Sequence, residues 1–76
     1  MTFNVGDLVE LDLVKVKLLS KNGQASAMVI EDYYGSDPGY AIIIGHEKFV
    51  SNFYFQKSQE IRHESLKWFK LVGKEH

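Results

Sequence analysis

The sequence predicts an all-β domain, a small barrel of about five short strands with one turn of 3₁₀ helix before the last. Three observations lead there. The apolar residues alternate with polar ones over short stretches, as in VGDLVEL. Strong turn chemistry separates those stretches, at Asn22-Gly23, at Gly35 to Gly39 and at Gly45. The chain has 76 residues, 45% of them apolar and 13% aromatic, which suits one small core filled largely by rings.

The first strand is VGDLVEL, residues 5–11. Val9, Leu11 and Leu13 share one face, and Glu10 and Asp12 the other. At Leu13-Val14 the pattern slips: Val14, Val16 and Leu18 become the apolar set, with Lys15 and Lys17 turned outward. A one-residue slip sends side chains to the opposite face, so a bulge or sharp bend is expected between Asp12 and Lys15. Asn-Gly in SKNGQ favours the positive-φ conformations of a tight hairpin, and ASAMVIEDYY follows as the second strand. Its small Ala25 and Ala27 predict close approach by another strand. Gly35, Pro38 and Gly39 then break the ladder.

YAIIIG is the third strand, and the unbroken run Ile42, Ile43 and Ile44 predicts a central position or burial on both faces. HEKFVSNFYF reads as the next, with Phe49, Ser51, Phe53 and Phe55 on one side, or as shorter strands turning at Ser51-Asn52. Residues 56–70 have two readings. The preferred one is a strand QEIRH, a helical turn ESLKW and a closing strand FKLV, with either Trp68 or Phe69 facing the core. The alternative is an α+β open sheet with a C-terminal helix at about 58–70, capped by Ser58, with Ile61, Ser65, Trp68 and Phe69 on one face. A single domain over 1–76, frayed at 73–76, completes the expectation.

Composition narrows the function classes. Net charge is −1, so the chain as a whole has no field to gather polyanions. With no cysteine, thiolate chemistry and disulfide staples are excluded. Without staples, and with no basic region ahead of an apolar stretch in MTFNVGDLVEL, a cytoplasmic setting is expected, inside a host cell if the protein is viral. No apolar run approaches the length of a membrane span, so no membrane partner is expected.

The matching pieces VGDLVEL, GQASAMVIEDYYG, YAIIIG and ESLKWFKLV resemble an SH3-like small barrel. The Gly-Asp-aliphatic-Val opening, with a Gly-led apolar strand after it, is similar to the KOW and Tudor-type members and to the small barrel proteins of bacteria and bacteriophages. The chain lacks the ALYDY-like opening and the late Pro-Tyr pair of signalling SH3 domains, so polyproline binding does not follow. Tudor members hold methylated ammonium groups in a cage of aromatics and an acid. The resemblance implies that Asp32, Tyr33, Tyr34 and Tyr40 have the side-chain chemistry for such a cage.

On this fold the tyrosines have two readings. Tyr33 and Tyr34 would point to opposite faces of a strand, with Tyr40 across from one of them, stapling a hairpin. Otherwise Tyr33, Tyr34 and Tyr40, beside Asp32 and Asp37 and joined by Tyr54, form an exposed binding patch of rigid amphipathic rings. Lys15, Lys17 and Arg62 could form a basic stripe for nucleic acid, or a solvated face that protects a strand edge.

Catalytic and metal chemistry find no footing. HESLK begins like a zinc-protease helix, but Lys67 stands where the second histidine should be. His46, His63 and His76 are scattered, and no serine sits in a nucleophile elbow. The expectation is a non-enzymatic module without cofactor that binds a protein partner. A nucleic-acid-binding barrel and a small homo-oligomeric structural protein are the alternatives.

Overall fold

The structure, a computed structural model, describes residues 3–35 and 37–74. The chain runs β1 (Asp7–Leu11), α1 (Leu13–Lys21), α2 (Ala25–Tyr34), β2 (Tyr40–His46), β3 (Ser51–Phe55), β4 (Glu60–Glu64), a 3₁₀ turn (Leu66–Trp68) and β5 (Phe69–Lys74). All five strands join one antiparallel sheet in the order β4-β3-β2-β1-β5. β4 and β5 are its two edges, so the sheet is open. The all-β closed barrel expected from the sequence is thereby corrected to an α+β fold: an open sheet carrying a helical hairpin between its first two strands.

The correction lies in residues 13–34. Alternation at Val14, Val16 and Leu18 looks like a strand, yet the chain buries the helical spacing instead. Val16 is fully buried with Leu13 and Leu19 packed beside it, while Val14 and Leu18 are 76% and 57% exposed. The expected bend at Asp12 is a helix start. Its carboxylate accepts a hydrogen bond from the Lys15 N–H at 3.2 Å, capping α1.

Asn22-Gly23 does make a turn, but between helices. At Gly23, with φ 86°, the N–H donates to the Ser20 carbonyl, and the Gln24 N–H donates to that of Leu19. This pair of bonds is a Schellman stop, which wants the same positive φ as a tight hairpin. The supposed second strand is α2, with Ala27 and Ile30 buried and Tyr34 one turn further on. Ala25 and Ala27 are strong helix formers, and the small Ala27 is fully buried in the core.

The expected strand HEKFVSNFYF is cut back to β3: His46 ends β2, residues 47–50 connect the two strands, and Ser51 and Asn52 are paired in the sheet instead of forming a turn. β2 is the central strand. Ser51, Phe53 and Phe55 of β3 face inward, whereas Phe49 lies ahead of the strand and is 81% exposed. Residues 56–70 form strand, 3₁₀ turn and strand, and no helix spans 58–70. Trp68 and Phe69 are both buried, because the step from a 3₁₀ turn to a strand resets the side-chain period between them. β5 continues through Lys74, paired with Asp7, so the strand takes in part of the expected frayed tail; residues 75–76 lie outside the described chain.

The sheet is curled. β3 and β5 stand three strand positions apart, which in a flat sheet is roughly 14 Å. Yet the Phe53 and Phe69 rings stack at 4.1 Å between centroids. Register breaks between Leu8 and Val9 and between Ile43 and Gly45 supply the extra twist this requires. The concave face holds Val9, Leu11, Ala41, Ile43, Phe53, Phe55 and Phe69, covered by Val16, Ala27 and Ile30 from the helices and by Trp68.

Candidate functional site

Curling the sheet around one core leaves its other face uncovered by the helices. Strand alternation puts Leu8, Ile42, Tyr54 and Ile61 on that outer face. They are also in register: Leu8 pairs with Ile42, Ile42 with Tyr54, and Tyr54 with Ile61. The result is an unbroken apolar row across four adjacent strands. Ile44 and Tyr40, 44% and 49% exposed, extend the patch along β2. Beside it Glu10 and Lys70 are cross-strand neighbours, so the charge at that border is balanced. Ile61, at the end of the row, is 56% exposed on the sheet edge.

A cleft of about 330 Å³ opens on the other side, between the end of α2 and β4. Tyr34 and Tyr33 form its wall, edge to face at 5.0 Å. Tyr34 is a strut: its ring stacks on buried Phe55 at 5.5 Å, and its hydroxyl donates to Glu64 at 2.7 Å. Burial, and then the Glu64 carboxylate, push its phenol far above the ordinary tyrosine range. Tyr33 is half exposed, and the Arg62 guanidinium lies 4.9 Å from its ring centre. Arg62 also pairs with Glu60 at 3.1 Å.

The structure therefore divides the sequence-derived tyrosine patch. Tyr33 and Tyr34 lie on a helix beside the cleft, while Tyr40 and Tyr54 lie on the outer face of the sheet. Tyr40 faces Glu10 across the strands, so the expected hairpin staple with Tyr33 or Tyr34 is not formed. Asp32 lines a separate shallow groove with Ser20 and Glu31, apart from the tyrosine cleft. The basic stripe is divided as well. Lys15 donates to the Lys67 carbonyl at 2.7 Å and Lys17 is exposed on α1, whereas Arg62 is held by Glu60 and Tyr33.

Leu8, Ile42 and Ile61 are the outer-face residues that the tyrosine pattern missed. The signal for them was the Ile42–Ile44 run, since a continuous apolar strand demands burial on both faces and the helices supply only one. His46 bonds to Ser51 at 2.7 Å and His63 to Asn52, with Glu47 3.7 Å from the His63 ring. Among the described residues, no group of three metal-ligating side chains forms, and no helix is long and apolar enough to cross a membrane. No family model, curated protein or solved structure matches the chain.

Proposed function

We propose that this chain is a non-enzymatic interaction module that binds a protein partner through the bare face of its sheet. The observation that carries the reading is the in-register apolar row Leu8, Ile42, Tyr54 and Ile61. A contiguous apolar patch bordered by balanced charge is what a recognition surface presents to another protein. Tyr54 and Tyr40 are its aromatic anchors, each with a polar tip for the rim. The resemblance to SH3-like domains belongs to the same reading. The five short strands and the 3₁₀ turn before the last support it, and the helical hairpin and open edges are where the chain departs from it.

The test uses tagged chain to capture partners from the source cells, comparing wild type with Ile44→Lys, Tyr54→Lys and, as a control on α1, Val14→Lys. Capture is expected to be lost for the sheet-face variants and retained for Val14→Lys, all with wild-type circular dichroism. Retained capture by folded Ile44→Lys and Tyr54→Lys protein refutes the reading.

A further inference from the structure

We propose that β4 pairs antiparallel with β4 of a second copy, centred on Ile61, joining two five-stranded sheets into one. This goes beyond the interaction reading: the contact is the edge of the sheet, which shares only Ile61 with the bare face.

β4 is the edge fitted for it. It pairs with β3 over all five residues without a break, from Phe55 with Glu60 to Ser51 with Glu64. The other edge, β5, carries the bulge at Val72, skipped between the Leu71–Val9 and Gly73–Leu8 pairs. Bulges are a device that spoils an edge for further pairing, and β4 has neither a bulge, a proline nor a lysine.

The free backbone groups of β4 follow from alternation. The Gln56 N–H donates to the Tyr40 carbonyl, toward β2. Counting back along β3, Tyr54 and Asn52 also address β2, and Phe55, Phe53 and Ser51 address β4. Their partners Glu60, Arg62 and Glu64 are the β4 residues bonded to β3. The N–H and C=O groups of Ile61 and His63 therefore point outward.

Charge then selects both the occupant and the register. Glu60-Ile61-Arg62 is complementary to itself when antiparallel. Ile61 faces Ile61, Glu60 faces Arg62 of the second copy, and Arg62 faces its Glu60. Opposite charges in directly facing pairs favour association, and like charges oppose it. Shifting the pairing centre to Arg62 sets arginine against arginine and Glu60 against Glu64. Centring on His63 also sets Arg62 against Glu64, but it places Ile61 opposite Ser65 and so breaks the apolar row. The Ile61 register keeps the row and only exchanges the Glu60–Arg62 pair within each strand for one across the seam. Centred on Ile61, the row from Leu8 to Ile61 runs on into its copy, and the most exposed residue of the row is covered.

Sedimentation equilibrium from about 1 μM to about 1 mM, with native mass spectrometry, tests the pairing over the range of weak dissociation constants. Wild type is expected to be in monomer–dimer exchange. Ile61→Pro removes an outward N–H while leaving the β3 ladder intact, and it abolishes the dimer. Glu60→Arg alone and Arg62→Glu alone each weaken it by roughly tenfold or more. The double variant Glu60→Arg/Arg62→Glu restores it, and an equimolar mixture of the two single variants gives a mixed dimer.

Circular dichroism checks that each variant is folded. A wild type monomeric throughout the range, a dimer indifferent to Ile61→Pro, or a double variant that stays weak overturns the proposal. If self-pairing fails while the sheet-face variants still lose partner capture, the interaction reading stands without this partner. If β4 pairing holds while those variants keep capture, the reverse is true.

Discussion

Replacing Tyr34 by phenylalanine separates a structural tyrosine from a binding one. The variant keeps the ring against Phe55 and deletes only the hydroxyl that donates to Glu64 at 2.7 Å. A hydrogen bond to a charged acceptor contributes roughly 1.5 to 3 kcal/mol, and solvent screening at this part-buried site brings that to about 1 kcal/mol. For a chain of this size a loss of that order lowers the melting temperature by about 4 to 8 °C.

The pH dependence gives a second handle on the same hydroxyl, through its burial first and its bond to Glu64 second. Burial and the Glu64 carboxylate raise the Tyr34 pKa in the folded state. The unfolded chain therefore gives up this proton first, near the ordinary value of about 10. The stabilisation is complete below that pH and is lost as pH climbs above it, by at most about 1.4 kcal/mol per pH unit and less where solvent reaches the ring. The phenylalanine variant has no such component. Thermal melts followed by circular dichroism at neutral pH and between about pH 9 and 11 measure both effects. Subtracting the pH dependence of the variant from that of wild type leaves the part that depends on the Tyr34 hydroxyl. A variant that melts with wild type at neutral pH, or that loses stability in parallel with it on the alkaline side, refutes the strut assignment.

Phe53, fully buried and stacked on Phe69, should cost about 3 to 5 kcal/mol on truncation to alanine. That approaches the whole stability expected of a chain this size, so Phe53→Ala should unfold at a much lower denaturant concentration and show a measurable unfolded fraction in far-ultraviolet circular dichroism at room temperature. Asp12→Ala removes the cap of α1 and should lower stability by about 1 kcal/mol in chemical denaturation, with an unchanged denaturant slope. Tyr33→Ala, at a half-exposed ring, should stay within about 0.5 kcal/mol of wild type in the same assay.

By itself the sequence determined what depends on nearest neighbours along the chain. The alternation in DLVEL and SNFYF, the positive-φ backbone at Gly23, Gly35 and Gly39, and the 3₁₀ turn ahead of Phe69 are local, and each stands where the residues place it. The triple isoleucine pointed to a central strand or to burial on both faces; β2 is central, and Ile44 on its outer face stays 44% exposed. Residues 13–34 were not legible in this way. Leu13, Val14, Val16, Leu18 and Leu19 satisfy a period of two and a helical period together, and Asn-Gly serves a hairpin and a helix stop equally well. Tertiary packing decided between them: a helical hairpin lays Val16, Ala27 and Ile30 over the concave sheet, where paired strands would have left its aromatic floor open. The same packing divided the tyrosines, because placing Tyr33 and Tyr34 on a helix took them to the opposite side of the sheet from Tyr40 and Tyr54. Which residues share a surface depends on how elements cover one another, and that is a property of the whole core that no local pattern encodes.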